Sequence, residues 1–349
     1  KHRLIDIMAI TLCAVICGAN AWTEIEEFGE TKEQWLRTFL ELPNGIPSHD
    51  TFARVFSLLD PNEFQSAFIN WVGEVVDLTD QEVVAIDGKT LRRSHDKRRG
   101  KAAVHMISAW AEENRVVLGQ MEVDGKSNEI TAIPELLQLL EIHGCIVTID
   151  AMGCQSDIAT EIIEREADYV LAVKKNQKKL LQDVRDTFEM AQKDHYRDIQ
   201  HDHHVEVNKG HGRVETRRYW TISEPEYIDY INRDGRWPGL QSMGIVQSER
   251  RVEGKRERET RYFISSLDGV AVTFAHAVRG HWGIENRLHW VLDIAFREDE
   301  SRIRHGHSAQ NMATVRHMAL NMLRHETSVR KGIKTKRMKA GWSERYLLR

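Results

Sequence analysis

Two short apolar runs in this chain each end on an aspartate: VVAID, Val83–Asp87, and CIVTID, Cys145–Asp150. Four or five consecutive apolar or β-branched residues bounded by turn formers read as a strand covered on both faces. Such strands need helices above and below them, which points to an open α/β sheet. The intervening chain agrees. AVHMISAWAEENRVVLGQMEV, residues 103–123, reads as two strands around a Glu-Glu-Asn turn. NEITAIPELLQLLEIHG, residues 128–144, reads as a helix closing on Gly144; a helix near 155–166 then leads to the strand DYVLAV, residues 168–173. In this order, the strands after the first helix should run parallel to their neighbours.

Residues 1–80 read as mostly helical. TKEQWLRTFLEL spaces Trp35, Phe39 and Leu40 at helical intervals, and the segment from Ser48 gives two apolar-faced helices broken near Pro61, with Ser48 or Asp50 as a cap. The opening stretch has a basic start, an apolar middle and an Ala-Asn-Ala run that imitates a signal-peptide cleavage site. Asp6 precedes the apolar run, which is also shorter than the roughly 20 residues a membrane span needs. A buried helix is the expectation, with no membrane partner. The first residue is Lys1, not methionine, so a start further upstream is expected. Four cysteines are too few for a disulfide scaffold and suit a reducing cytoplasm.

The 349 residues are 41% apolar and 29% charged, as in a folded domain rather than a disordered chain. The net charge of −4 conceals a strong asymmetry. Residues 1–80 hold five basic and thirteen acidic side chains, whereas residues 302–349 hold twelve basic and two acidic; residues 89–101 hold seven basic and one acidic. Clustered cations suit a polyanionic partner, and they equally suit a solvated basic surface.

Taken singly, Asp87 and Asp150 suit a turn and a cap. Functional groups nevertheless gather at the carboxyl ends of strands in open α/β sheets. A third acid, Glu285, lies in RGHWGIENRLHWVLD on a helix whose apolar stripe is Ile284, Leu288, Val291 and Ala295. Were the three to converge, like charges about 4 Å apart would repel by roughly 4 kcal/mol at an effective dielectric near 20. Such a cluster must take up protons or hold a cation, and an all-carboxylate set favours Mg²⁺ or Mn²⁺. Two such ions can serve phosphodiester cleavage. Lys89, Arg92 and Arg93 then become candidate phosphate clamps, while Lys174, Lys175 and Asn176 in VKKNQ suit either a phosphate grip or a solvated strand end. His281, Glu285 and His289 at four-residue spacing resemble a helical zinc site, but three ligands over two helical turns converge poorly. KGHGRVETRR, with His211, Arg213, Arg217 and Arg218, suits either phosphate binding or a charged sheet edge. The tail RKGIKTKRMKAGWSERYLLR suits sequence-independent DNA binding or a flexible solubilising role.

AIDGKTLRRS, TIDAMGCQ, DYVLAVKKNQ and HWGIENRLHWVLDIAFRED, in that order, resemble the H-repeat-associated branch of bacterial insertion-sequence DDE transposases. The resemblance runs from Leu4 to about Leu323. It implies a ribonuclease-H-like mixed sheet flanked by helices, with a β-rich insertion and an N-terminal helical domain. The corresponding division is 1–80 for the helical domain, 81–177 and 269–325 for the two parts of the core, 178–268 for the insertion and 326–349 for the basic tail. It also implies that Asp87, Asp150 and Glu285 bind two divalent ions and cut and join DNA, and it turns the choice for Lys174, Lys175 and Asn176 toward phosphate. The implied partners are the inverted-repeat ends of an element and a target duplex, bound by a homodimer in the cytoplasm. Many relatives surround the glutamate with Tyr-x2-Arg-x3-Glu-x6-Lys. Here those positions are Val278, His281 and Leu292, so Arg279, His281, Asn286 and Arg287 stand as local substitutes, with Arg213 as a contact from the insertion. A nuclease of the same fold and an inactive DNA-binding remnant are the rival readings.

Overall fold

The computed structural model describes residues 1–96, 100–123, 128–210, 213–252 and 255–349. Its sheet is built from β1 (Val83–Thr90), β2 (His105–Ala111), β3 (Val116–Val123), β4 (Ile146–Ile149), β5 (Asp168–Val173), β6 (His201–Gly210), β7 (Arg213–Ile222), β8 (Ser242–Val252) and β9 (Lys255–Ser265). The order across the sheet is β3-β2-β1-β4-β5-β9-β8-β7-β6. β1, β2 and β3 pair antiparallel, while β4 and β5 run parallel to β1. This is the ribonuclease-H-like mixed sheet expected from the sequence. The helices Glu129–Gln138 and Ser156–Glu164 make the crossovers that parallel pairing requires.

Several boundaries differ from the sequence reading. β1 does not stop at its carboxylate; it continues through Gly88 and Lys89 to Thr90, each opposite a residue of β2, so Asp87-Gly88 is extended strand and not a turn. The first crossover helix ends at Gln138, well before Gly144. β8, in SMGIVQSERRV, was not anticipated. The four later strands continue the core sheet: β9 pairs antiparallel with β5 and extends the same lamina.

Two glycines let the helix Ala271–Gly283 lie close to the sheet and its hairpin. A Cβ on Gly280 would come within 2.7 Å of Val83 Cγ1, and one on Gly283 would collide with the Glu112 carboxylate. The helix Ser308–His325 is buried along most of its length. Its Asn311 amide donates to the carbonyls of Phe56 and Leu59, each at 2.9 Å. Its Asn321 accepts from Val117 N–H and donates to Val117 C=O, both at 2.9 Å. The helical N-terminal segment and the edge of the sheet are therefore fastened to one buried helix. The signal-like run forms the helix Leu4–Ile16, whose Ile7, Ile10, Ala14 and Val15 are buried in the core. Among the described residues no helix is long and apolar enough to cross a membrane.

The basic tail is folded rather than loose. Helix Ile333–Trp342 buries Lys336 and Arg337. Lys336 donates to Leu323 C=O at 2.7 Å and to Glu326 C=O. Arg337 donates to the carbonyls of Val15, Ala19 and Ala295 while its guanidinium lies 4.2 Å from the Phe296 ring centroid. These two cations terminate helices, because the last carbonyls of a helix have no partners of their own. Arg337→Ala should cost about 3 kcal/mol in chemical denaturation, since it strands several buried carbonyls.

Candidate active site

Asp87 and Asp150 are brought together by strand register. Ile86 stands opposite Ile149 in the parallel pair β1–β4, so the next residue on each strand is an acid at the same edge. β4 ends there, and Asp150 turns the chain by accepting from Met152 N–H at 2.9 Å at the head of a short 3-10 turn. Asp87 accepts from its neighbour Gly88 N–H at 2.9 Å.

Glu285 arrives from the far end of the chain. The helix Ala271–Gly283 does not continue regularly; residues Ile284–His289 form a π-helical turn before the helix Trp290–Phe296. A π-turn widens the spiral and re-aims the side chains it carries, and such turns concentrate at functional sites. Ile284 and Leu288 remain buried while Glu285, Asn286 and Arg287 face outward. The sequence pattern found the apolar stripe but carried no sign of the change in pitch.

Asp87, Asp150 and Glu285 line one cavity of about 190 Å³, together with Thr148, Lys174, Arg261, His281 and Trp282. Burial pushes the Asp87 carboxyl up to about 7, and the negative charges of Asp150, Glu285 and Glu129 add to that effect against the pull of the Gly88 N–H. Among the described residues no ion pair or hydrogen bond engages the Glu285 carboxylate. Its oxygens and the second oxygens of both aspartates supply hard donors of the kind a divalent cation takes. No three His, Cys, Asp or Glu groups among the described residues close onto a single point, so the acids share a cleft without forming a coordination shell.

His289 stands behind Asp87, its Nδ1 3.6 Å from the carboxylate. Burial and the nearby Lys89 ammonium pull its pKa down to about 4, so the ring is neutral, and its Nε2 is buried without a hydrogen-bond partner. His281 Nδ1 lies 3.2 Å from Thr148 Oγ1 on β4; burial lowers its pKa as well. These histidines pack the glutamate helix against the strands that carry the aspartates.

The proposed phosphate clamps divide. Lys89 is a correction: its ammonium is 2.5 Å from Asp293 and 2.9 Å from Glu298, with its side chain only 13% exposed. Glu298 also meets Arg316 at 3.4 Å. This buried cluster ties β1 to the chain after the glutamate turn and presents no cation to solvent. Its acids lie more than two hundred residues from Lys89 in sequence, so no local pattern announced them. Arg92 is exposed and 3.2 Å from Asp299; Arg93 is exposed. Residues 97–99 and His211 lie outside the described residues, as does the side chain of Arg213.

Lys174 reaches the acid cleft and Lys175 is exposed beside it. Asn176 donates to Ala151 C=O at 2.5 Å, which holds the turn after Asp150 against the end of β5. Arg279, Asn286 and Arg287 line a larger neighbouring groove of about 990 Å³, whose far wall is built from β6 to β9. Asn286 donates to Trp282 C=O at 2.9 Å, and Arg287 is 2.6 Å from Glu112. Trp282 and Glu285 belong to both the groove and the acid cleft.

Comparison with known proteins decides the family. A model described as Transposase DDE domain matches residues 78–322, and one described as DDE_Tnp_1-associated matches residues 1–72. The chain belongs to the DDE transposase family. "Putative transposase YncI" of Escherichia coli O157:H7 is 45% identical over 99% of this chain and 88% of its own length. "H repeat-associated putative transposase YhhI" of Escherichia coli K12 is 43% identical over 99% of this chain and 92% of its own. The H-repeat-associated resemblance is thus borne out. "Inactive transposase YbfQ" of the same strain is 54% identical over 16% of this chain and 67% of its own length. Among solved structures, a piggyBac transposase synaptic complex with hairpin DNA aligns with 100% of this chain and 73% of its own at 11% identity, with a TM-score of 0.43, too slight a likeness to bear on function.

Proposed function

We propose that this DDE transposase is an active cytoplasmic enzyme that cuts DNA at the ends of an insertion sequence and joins the freed 3′-hydroxyl to target DNA. One observation carries the reading: register sets Asp87 and Asp150 side by side on parallel strands, and the glutamate turn delivers Glu285 to the same cleft. Asp87, Asp150 and Glu285 would hold Mg²⁺ or Mn²⁺, two ions in the full site. Bound there, the cations supply positive charge for the attacking and leaving oxygens of phosphoryl transfer. The chain's own residues supply positioning. Asn176 fixes the turn that bears Asp150, and Thr148 with His281 fixes the glutamate helix on β4. Lys174 lines the cleft, and there it would meet a phosphate oxygen.

Arg92, Arg93, Lys175, Arg213, Arg279, Asn286 and Arg287 are proposed as contacts along double-stranded DNA, with a homodimer bridging the element ends. The tail's Lys336 and Arg337 are excluded from that role by their burial. With Mg²⁺ and a duplex carrying the matched inverted repeats, the wild-type chain should give nicked and strand-transfer products on a denaturing gel. Glu285→Gln should give neither. Nicks without joined products would support a nuclease of this fold, and wild-type inactivity would support a decayed remnant of the kind that YbfQ is named for.

A further inference from the structure

Trp282 lies three residues before Glu285 and borders both the acid cleft and the larger groove. Three guanidiniums crowd its ring. Arg261 lies 4.9 Å from the ring centroid, Arg217 5.3 Å and Arg279 5.8 Å. They come from three different elements: β9, β7 and the helix Ala271–Gly283. An aromatic face attracts a cation but does not neutralise it. Three cations on one ring therefore still repel one another unless anions intervene.

The carboxylates available leave the set incompletely matched. Arg261 pairs with Glu259 at 2.8 Å, and the Glu206 oxygen nearest Arg279 is 4.0 Å away. Arg217 is the decisive member. It is only 5% exposed, its Nη2 meets Glu215, and its Nη1 is buried with no hydrogen-bond partner. A buried donor without an acceptor is costly, and guanidinium nitrogens match phosphate oxygens in a two-pronged geometry. Arg217 and Arg279 both line the groove that opens beside Glu285.

We propose that Arg217, Arg261 and Arg279, held on the Trp282 ring, form a subsite for one phosphodiester of the DNA strand lying next to the acid cleft. The inference rests on the reading of this chain as a DNA-cutting transposase, and it adds the place where the strand is gripped beside the reacting phosphate. Trp282 is a positioning residue here, a platform that keeps three like charges together. The subsite also supplies, from the insertion strands, cationic contacts next to the glutamate where the Tyr, Arg and Lys positions of many relatives are Val278, His281 and Leu292.

The test is equilibrium binding of the full chain to a fluorescein-labelled duplex of arbitrary sequence, in EDTA, across a range of NaCl concentrations. Arg217→Gln should weaken binding about tenfold and lower the slope of log K against log salt by about one, the signature of a lost phosphate contact. Arg217→Lys should restore the slope without restoring full affinity, because it keeps the charge and loses the fork. Arg233→Gln, which removes a cation paired with Asp183 outside this groove, should leave both unchanged. Wild-type affinity and slope in Arg217→Gln would make Arg217 an internal structural cation, overturning the subsite and leaving the transposase reading intact. An equal loss in Arg233→Gln would also overturn it, by reducing the effect to net charge. Failure of the wild-type chain to bind duplex would overturn both readings. If Arg217→Gln does not fold, Arg261→Gln and Arg279→Gln carry the same test: each should lower the slope, and unchanged slopes in both would refute the subsite.

Discussion

Asp87→Asn should abolish DNA cleavage and, without metal, leave a protein more stable than the wild type at pH 8. Outer-shell partners of metal ligands typically cost 10–100-fold when removed, so loss of a residue proposed as a ligand should exceed about 10²-fold. The stability effect follows from the crowding of the acids. The folded carboxyl is raised from 3.8 to about 7, so the charged form is disfavoured in the native state. That penalty is absent below the unfolded value, grows as pH rises, and is fully present above about 7. The side chain is 25% exposed, and water screening reduces the effect to roughly 1–3 kcal/mol. Asparagine keeps the oxygen that accepts from Gly88 and discards the charge. Nicking assays with Mg²⁺ and denaturation curves at pH 5 and pH 8 in EDTA check both halves. Lost activity with no stability gain at pH 8 would separate catalysis from the electrostatic strain inferred here.

Glu298→Ala should strongly destabilise the fold. The carboxylate is 3% exposed and lies between the half-buried Lys89 and the buried Arg316. Removing it leaves the buried Arg316 without its carboxylate and takes one of two from Lys89, which keeps Asp293, a loss of about 3–5 kcal/mol. Burial alone would raise the Glu298 pKa, but the positive charges of Lys89, Arg316 and His317 hold it down at about 2. A folded pKa below the unfolded one stabilises the protein at all pH values above about 4.5, and that contribution is lost as pH falls toward 2. The stability gap between the wild type and Glu298→Gln should therefore narrow on acidification below about pH 4.5. Chemical denaturation of both proteins across that range reads it directly. A gap that holds constant would show that shape, and not charge, keeps Glu298 in place.

The order of the core strands was legible because burial and charge conflict visibly in VVAID and CIVTID. A strand buried on both faces does not carry a carboxylate without reason. Glu285 was legible as a carboxylate on the helix face beside the apolar stripe of Ile284, Leu288, Val291 and Ala295, and by the resemblance of the surrounding motif. Lys89 was misread because a cation two residues from an acid looks the same in sequence whether it faces phosphate or a carboxylate folded in from residue 298. The basic tail was ambiguous in the same way, since a run of cations does not reveal which of them, here Lys336 and Arg337, are buried against helix ends. The π-turn at Ile284–His289 left no trace, because a single widened turn shifts apolar spacing by less than the pattern's ordinary scatter. Arg217 was seen only as one of several alternating cations; its contact with Trp282 comes from another element, 65 residues later.

The pairing of β5 with β9 has a consequence for how the chain is made. Val170 on β5 meets Ser265 on β9, a partner 95 residues later in the chain. Ribosomal synthesis completes β1 to β5 well before that partner exists. During this interval β5 is an open edge of apolar residues, and an open edge invites pairing with another chain. Closing a loop of this length is also slow compared with forming the local hairpins on either side. A product truncated before residue 255 keeps all of β1 to β5 yet never covers that edge, so shortened copies of such a gene encode a chain predisposed to aggregate.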